Sequence, residues 1–151
     1  MTRIQLTTLA ASGSAALLLG AFAYQLLGYA PCTLCIWQRY PHVAAVVIGV
    51  AAWALGHRAF ALLGAVAAVT TAAIGFYHAG VELGWFTGPT TCTSGAIGDL
   101  SPDALLDQIM EAPLVRCDDI AWQFLGLSMA AWNGVLSLAL AALWLAAYRR
   151  T

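Results

Sequence analysis

Residues 29–42 read YAPCTLCIWQRYPH. Cys32 and Cys35 are separated only by Thr33 and Leu34, Pro31 stands before them, and Trp37, Arg39 and His42 follow at once. Long apolar runs flank the stretch on both sides, so two thiols, a permanent cation and a histidine sit at the edge of hydrophobic segments. That placement separates this chain from an ordinary soluble domain and puts its polar chemistry at a boundary.

Working outward, charged residues divide the chain into four uncharged stretches, 4–38, 40–57, 59–81 and 120–148. A membrane-spanning helix needs roughly 20 apolar residues, and each stretch is long enough to supply one. Of the 151 residues, 62% are hydrophobic and only 9% charged, where soluble domains carry about 25% charged residues. The expected fold is therefore all-α: an integral membrane, antiparallel four-helix bundle forming one domain over residues 1–151. Its spans are expected at about 7–27, 40–56, 59–79 and 122–147, with outer loops at about 28–39 and 80–121. The first run has two marks of a signal peptide, Arg3 and the small-residue sequence AFA at 21–23. It exceeds the usual apolar core of about 7–15 residues and is read as a span.

The charges also give an orientation. Arg3, Arg58, Arg149 and Arg150 fall at one end of such a bundle; Arg39, Arg116 and all seven acids, which lie between Glu82 and Asp119, fall at the other. Arginine excess marks the cytoplasmic side, so both termini are expected in the cytoplasm and both long loops outside. Tyr24, Tyr29, Trp37, Tyr40, Tyr77, Trp85, Phe86 and Trp122 are expected to mark the outer boundary, and Trp144 and Tyr148 the inner one. Small residues every four positions, Ser12/Ala16/Gly20 and Gly64/Ala68/Ala72, would let helices approach closely. In the outer loop, SPDALLDQIMEAP (101–113) reads as a short amphipathic helix capped by Ser101 with Pro102 at its first position.

All four cysteines, Cys32, Cys35, Cys92 and Cys117, fall in the outward loops. Disulfides persist on an oxidising face. A 92–117 bridge suits a structural role, stabilising by ~3 kcal/mol, whereas a CxxC pair gives a small loop typical of redox sites. A four-thiolate zinc site would need a second tight pair, and 92 and 117 are too far apart in sequence; no metal is expected. If a helix begins near Thr33, its dipole favours a thiolate at Cys35, and Arg39 lies over the same face. Pro41 leaves two alternatives, a kinked helix from Thr33 or a later start near Tyr40. His78 ends the third span at the level of Cys35 and Arg39; His42 and His57 read as structural.

The blocks PCTLCIWQRYPH (31–42), YHAGVELGWFTGPTTC (77–92) and RCDDIAWQFLGLSMAAWN (116–133) resemble the disulfide bond formation protein B (DsbB) family. The resemblance runs from the first span to the fourth. It implies a membrane thiol oxidase that reoxidises a periplasmic thioredoxin-fold (DsbA-like) disulfide donor and passes electrons to ubiquinone or menaquinone. It further implies pairs Cys32–Cys35 and Cys92–Cys117, with Cys92 accepting the partner's thiolate, Cys117 attacking Cys32, and Cys35 meeting the quinone. Arg39 and His78 correspond to the family's quinone-site arginine and histidine. The implied location is the bacterial inner membrane, in contact with lipid and with no nucleic acid or metal partner. Gln38 departs from the glutamate carried by well-known members beside the arginine. A vitamin K epoxide reductase-like enzyme would carry its CxxC late in the chain, and a non-catalytic scaffold with structural disulfides would show no thiol turnover.

Overall fold

The computed structural model describes residues 1–89, 92, 101, 103, 106, 107, 110 and 115–150. Four helices, α1 (Arg3–Leu26), α2 (Thr33–Leu55), α3 (Ala59–Glu82) and α4 (Met129–Arg149), are each long and apolar enough to cross a membrane. At 1.5 Å per residue a 24-residue helix is about 36 Å long, more than the hydrocarbon thickness of roughly 30 Å. Each helix packs on its chain neighbours, and α1 closes the ring against α4, as an up-and-down bundle requires.

The bundle is held by small residues against one large one. Trp144 is fully buried among Leu6, Ala10, Ala61, Ala65 and Ala68. Its indole lies where a Cβ on Gly64 would be, 2.4 Å from Cδ2. Trp144 therefore belongs to the core and not to the inner aromatic belt expected for it. Of the two small-residue stripes, Gly64, Ala68 and Ala72 do face inward. Ser12, Ala16 and Gly20 do not; all three are exposed, and α1 buries Leu6, Thr7, Ala10 and Ser14 instead. The face of α1 is chosen by where Trp144 and Leu140 need filling, which a four-residue spacing alone does not reveal. Large apolar side chains such as Leu19, Phe22, Val47, Val66 and Leu138 point outward, the reverse of a soluble protein and the arrangement lipid favours.

The two ends of the bundle differ. At one end, Arg3 Nη2 donates to Gly56 O at 2.7 Å and Arg58 lies over the Tyr148 ring. The cysteines are at the other. There Gly84 (φ 71°) closes α3: Trp85 N–H bonds Gly80 O and Gly84 N–H bonds Val81 O, the Schellman pattern of a helix end. The fourth helix begins later than the expected span, at Met129. The preceding residues form a two-stranded hairpin, β1 (Gln123–Phe124) and β2 (Leu127–Ser128). Leu125 and Gly126 both have positive φ, as a type I′ turn demands. The loop helix expected within 101–113 lies largely outside the described residues; Asp103, Leu106, Asp107 and Met110 are helical and exposed.

Candidate functional site

The dithiol is built by a helix start. Helix α2 begins at Thr33, with Pro41 inside it: the earlier of the two starts that Pro41 left open holds. The helix thus begins well before the span expected from about 40, the loop expected at about 28–39 shortens to 27–32, and Cys35 lies in the first turn of the helix. Cys32 is the N-cap, and its sulfur accepts from Cys35 N–H at 3.2 Å. This replaces the serine or threonine oxygen that usually satisfies a free amide at a helix start. The spacing of three residues then brings the sulfurs together: Cys32 and Cys35 are free thiols with Sγ atoms 2.8 Å apart, within reach of closing on each other. The hydrogen bond that Cys32 donates to Cys35 Sγ, reinforced by burial, pushes the Cys32 thiol well above the usual thiol range.

The second pair, Cys92 and Cys117, is disulfide-bonded and braced by Cys117 N–H donating to Cys92 O at 2.7 Å. Both residues are fully buried and pack in one cluster with Cys32, Leu34 and Val81. The two cysteine pairs are thus neighbours. The glycines and threonines around Cys92 in TGPTTCTSGAIG (87–98) suggest an exposed sulfur, but Leu34, Val81 and Val115 enclose the bridge, because apolar side chains from α2, α3 and the segment before Cys117 converge there. Next to the bridge, Arg116 pairs with Asp118 and Asp119, and its guanidinium holds the Asp118 carboxyl below the ordinary carboxylate range.

Arg39 answers for itself how it is held without an acid at position 38. Its guanidinium crosses to α1, where Nη1 donates to Gln25 Oε1 at 2.8 Å and the group stacks 4.9 Å from the Phe22 ring centre. Its Nε is buried and has no partner among the described residues. A buried, unpaired N–H is costly, so this donor fits an acceptor such as a quinone carbonyl.

His78 sits at the centre. Its Nε2 is 3.5 Å from Cys32 Sγ and 3.9 Å from Glu82 Oε1, and its Nδ1 is 2.9 Å from Gln38 Nε2. Cys32, Cys35 and His78 present three metal-ligand atoms within 4.8 Å of one another. A soft ion would suit such a set in the reduced state, at the expense of thiol exchange. His42 is buried with its Nε2 2.9 Å from Asn133 Oδ1, and His57 caps the α2–α3 turn through Ala59 N.

Sequence reasoning missed Gln25, Thr71 and Asn133. Asn133 donates to Gln38 Oε1 at 2.7 Å and to Thr71 Oγ1 at 3.2 Å. The usable signal was a lone amide in the apolar run AAWNGV (130–135). Polar side chains in a span face the bundle interior and mark function by default.

A four-span bundle with a capped dithiol against a second cystine defines a class, membrane proteins of disulfide exchange. This chain belongs to the DsbB family, described as disulfide bond formation protein DsbB, which matches residues 3–147. It is 30% identical over 144 residues to the disulfide bond formation protein B of Albidiferax ferrireducens, covering 87% of this chain and 81% of that one. It is 25% identical over 116 residues to an uncharacterised protein of Rickettsia prowazekii, covering 74% and 67%. No solved structure matches. Membership makes it a multi-pass membrane protein of disulfide bond formation.

Proposed function

We propose that this chain is a quinone-coupled thiol oxidase that regenerates a periplasmic thioredoxin-fold (DsbA-like) disulfide donor. The observation that carries the reading is the single buried cluster holding Cys32 and the Cys92–Cys117 bridge, against which Cys35 packs one helical turn before Arg39. Electrons then travel only between neighbours. A partner thiolate attacks Cys92 and releases Cys117; the partner's second thiol closes its own disulfide. Cys117 attacks Cys32 of a Cys32–Cys35 bridge and displaces Cys35; the Cys92 thiolate then attacks Cys117 and displaces Cys32, restoring Cys92–Cys117 and leaving two thiols at the CxxC. The bonding present here, with Cys92–Cys117 closed and Cys32 and Cys35 as thiols, corresponds to that stage. A bound quinone would take the two electrons and two protons, closing Cys32–Cys35 again.

Arg39 would hold the quinone through Nε, while Gln25 and Phe22 keep the guanidinium in place. Cys35 is half-buried beside Ile36 and Trp37, which are exposed on the lipid-facing side, so a ring dissolved in the bilayer has access to it. The end that carries Arg3, Arg58, Arg149 and Arg150 is cytoplasmic, and the cysteines face the periplasm of a bacterial inner membrane.

The test is reconstitution in vesicles with a reduced thioredoxin-fold partner and quinone. Partner thiols should disappear at a rate that depends on quinone. Thiol loss indifferent to quinone would sink the reading, leaving a structural cystine protein.

A further inference from the structure

Polar groups continue from the dithiol into the middle of the bundle, and their donor directions are fixed. Leu34 O is an acceptor of known polarity, and the Gln38 side-chain group 3.2 Å from it must therefore be the NH₂ end. That same nitrogen faces His78 Nδ1 at 2.9 Å, so Nδ1 is the acceptor and the ring proton of a neutral His78 is on Nε2. Gln38 Oε1 in turn accepts from Asn133 Nδ2 at 2.7 Å. This leaves Asn133 Oδ1 to accept from His42 Nε2 at 2.9 Å, while His42 Nδ1 stays without a partner among the described residues. At the other end His78 Nε2–H faces Cys32 Sγ at 3.5 Å, with Glu82 Oε1 at 3.9 Å and the Cys117 backbone also in contact with the ring, and Cys32 donates to Cys35 Sγ.

We infer that Gln38 is a positioning residue: it locks His78 as the Nε2–H tautomer, so that a one-way chain of hydrogen bonds from His42 through Asn133, Gln38, His78 and Cys32 ends on Cys35. Aligned donors strengthen one another in a low dielectric, and all of them here present their positive ends toward the sulfur that closes the chain. With the opposite tautomer, Nε2 would accept a hydrogen bond from the Cys32 thiol and the direction would reverse. An amide is the side chain that does this, because it donates to His78 and accepts from Asn133 at once; a carboxylate at position 38 accepts from both and demands a proton on Nδ1. The departure Gln38 is thus matched by a particular histidine state. Its meaning for turnover rests on the proposed oxidase reading, whereas the polarity of the chain does not.

The experiment is ¹⁵N NMR of histidine-labelled full-length protein in lipid nanodiscs, with the CxxC reduced; only three histidines contribute. His78 of the unaltered protein should show a protonated Nε2 and a bare Nδ1. A bare Nε2 there overturns the inference without any variant. In Gln38→Glu, His78 Nδ1 should become protonated; an unchanged pattern also overturns it. In Gln38→Leu, iodoacetamide should label Cys35 several-fold more slowly at neutral pH, while an unchanged rate rules out delivery of the chain's polarity to Cys35. Quinone-dependent thiol loss, run on the same samples, reports separately on the oxidase reading.

Discussion

The Arg39 guanidinium spans the gap between α2 and α1, its Nη1 2.8 Å from Gln25 Oε1 and its Nη2 3.5 Å from Ala21 O, and its Nε has no partner among the described residues. Two of the three guanidinium nitrogens therefore serve position and one remains for a ligand. Arg39→Ala should raise the apparent KM for quinone about tenfold, the effect of losing one charged hydrogen bond. Mixed-disulfide formation at Cys92 should keep its rate. Arg39→Lys should rescue poorly, since an ammonium cannot hold Gln25 and an acceptor in the same fork. Steady-state quinone kinetics decide it; unchanged KM would reduce Arg39 to an interfacial cation.

Gly64 and Trp144 allow one substitution each only at a cost. Gly64→Ala places a methyl into the indole, and neither the helix backbone nor a fully enclosed ring has room to yield. The expected loss is ~1–3 kcal/mol of stability, read as a lower denaturation midpoint in detergent. Gly20→Ala, where a Cβ meets nothing within 4 Å, should leave the midpoint in place.

The order of exchange can be trapped. Cys117→Ala should accumulate a mixed disulfide between Cys92 and the partner, because no thiol is released to carry the electrons onward. Cys92→Ala should accumulate none by that route. Non-reducing gels and peptide mapping read the outcome; an adduct on Cys32 in otherwise unaltered protein would reverse the order. Since Cys92 is enclosed here, the adduct should form faster in Val115→Ala, which thins its cover.

Alkylation of the reduced protein should be uneven. The Cys32 proton is held by its bond to Cys35 Sγ and by burial, so its thiol range is shifted up and Cys32 should stay unmodified between pH 7 and about 9. Cys35 should react first. Peptide mass spectrometry after a short iodoacetamide pulse measures the ratio; preferential labelling of Cys32 would contradict the hydrogen-bond direction.

Reporter fusions test the sidedness. Those at Arg58 and at the C-terminus should read cytoplasmic, and one at Asp103 external. A cytoplasmic reading at Asp103 would overturn the orientation.

Much of this was legible because its physics is local. Uninterrupted apolar runs define spans wherever they occur, and a CxxC at a helix start needs only its own turn to bring two sulfurs together. What escaped depended on distant partners. Asn133 and Gln38 are 95 positions apart, and nothing in either neighbourhood names the other. The run after Trp122 looked like the start of a span, because Phe124, Leu125 and Leu127 are apolar; the two positive φ angles at Leu125 and Gly126 turn it into a hairpin first. Cys92 looked exposed from the glycines and threonines beside it, yet its burial is set by Leu34 and Val81, from other helices.

That enclosure has a consequence for specificity in time. A cystine with neither sulfur in water reacts slowly with any small thiol dissolved around it, since exchange needs in-line access to sulfur. Only a macromolecule able to displace part of the cover, and to compensate that displacement with its own contacts, gains entry at a useful rate. The bridge is thus insulated against leakage: stray reductants pass it by, and on the proposed oxidase reading its exchange is reserved for a partner shaped to open it.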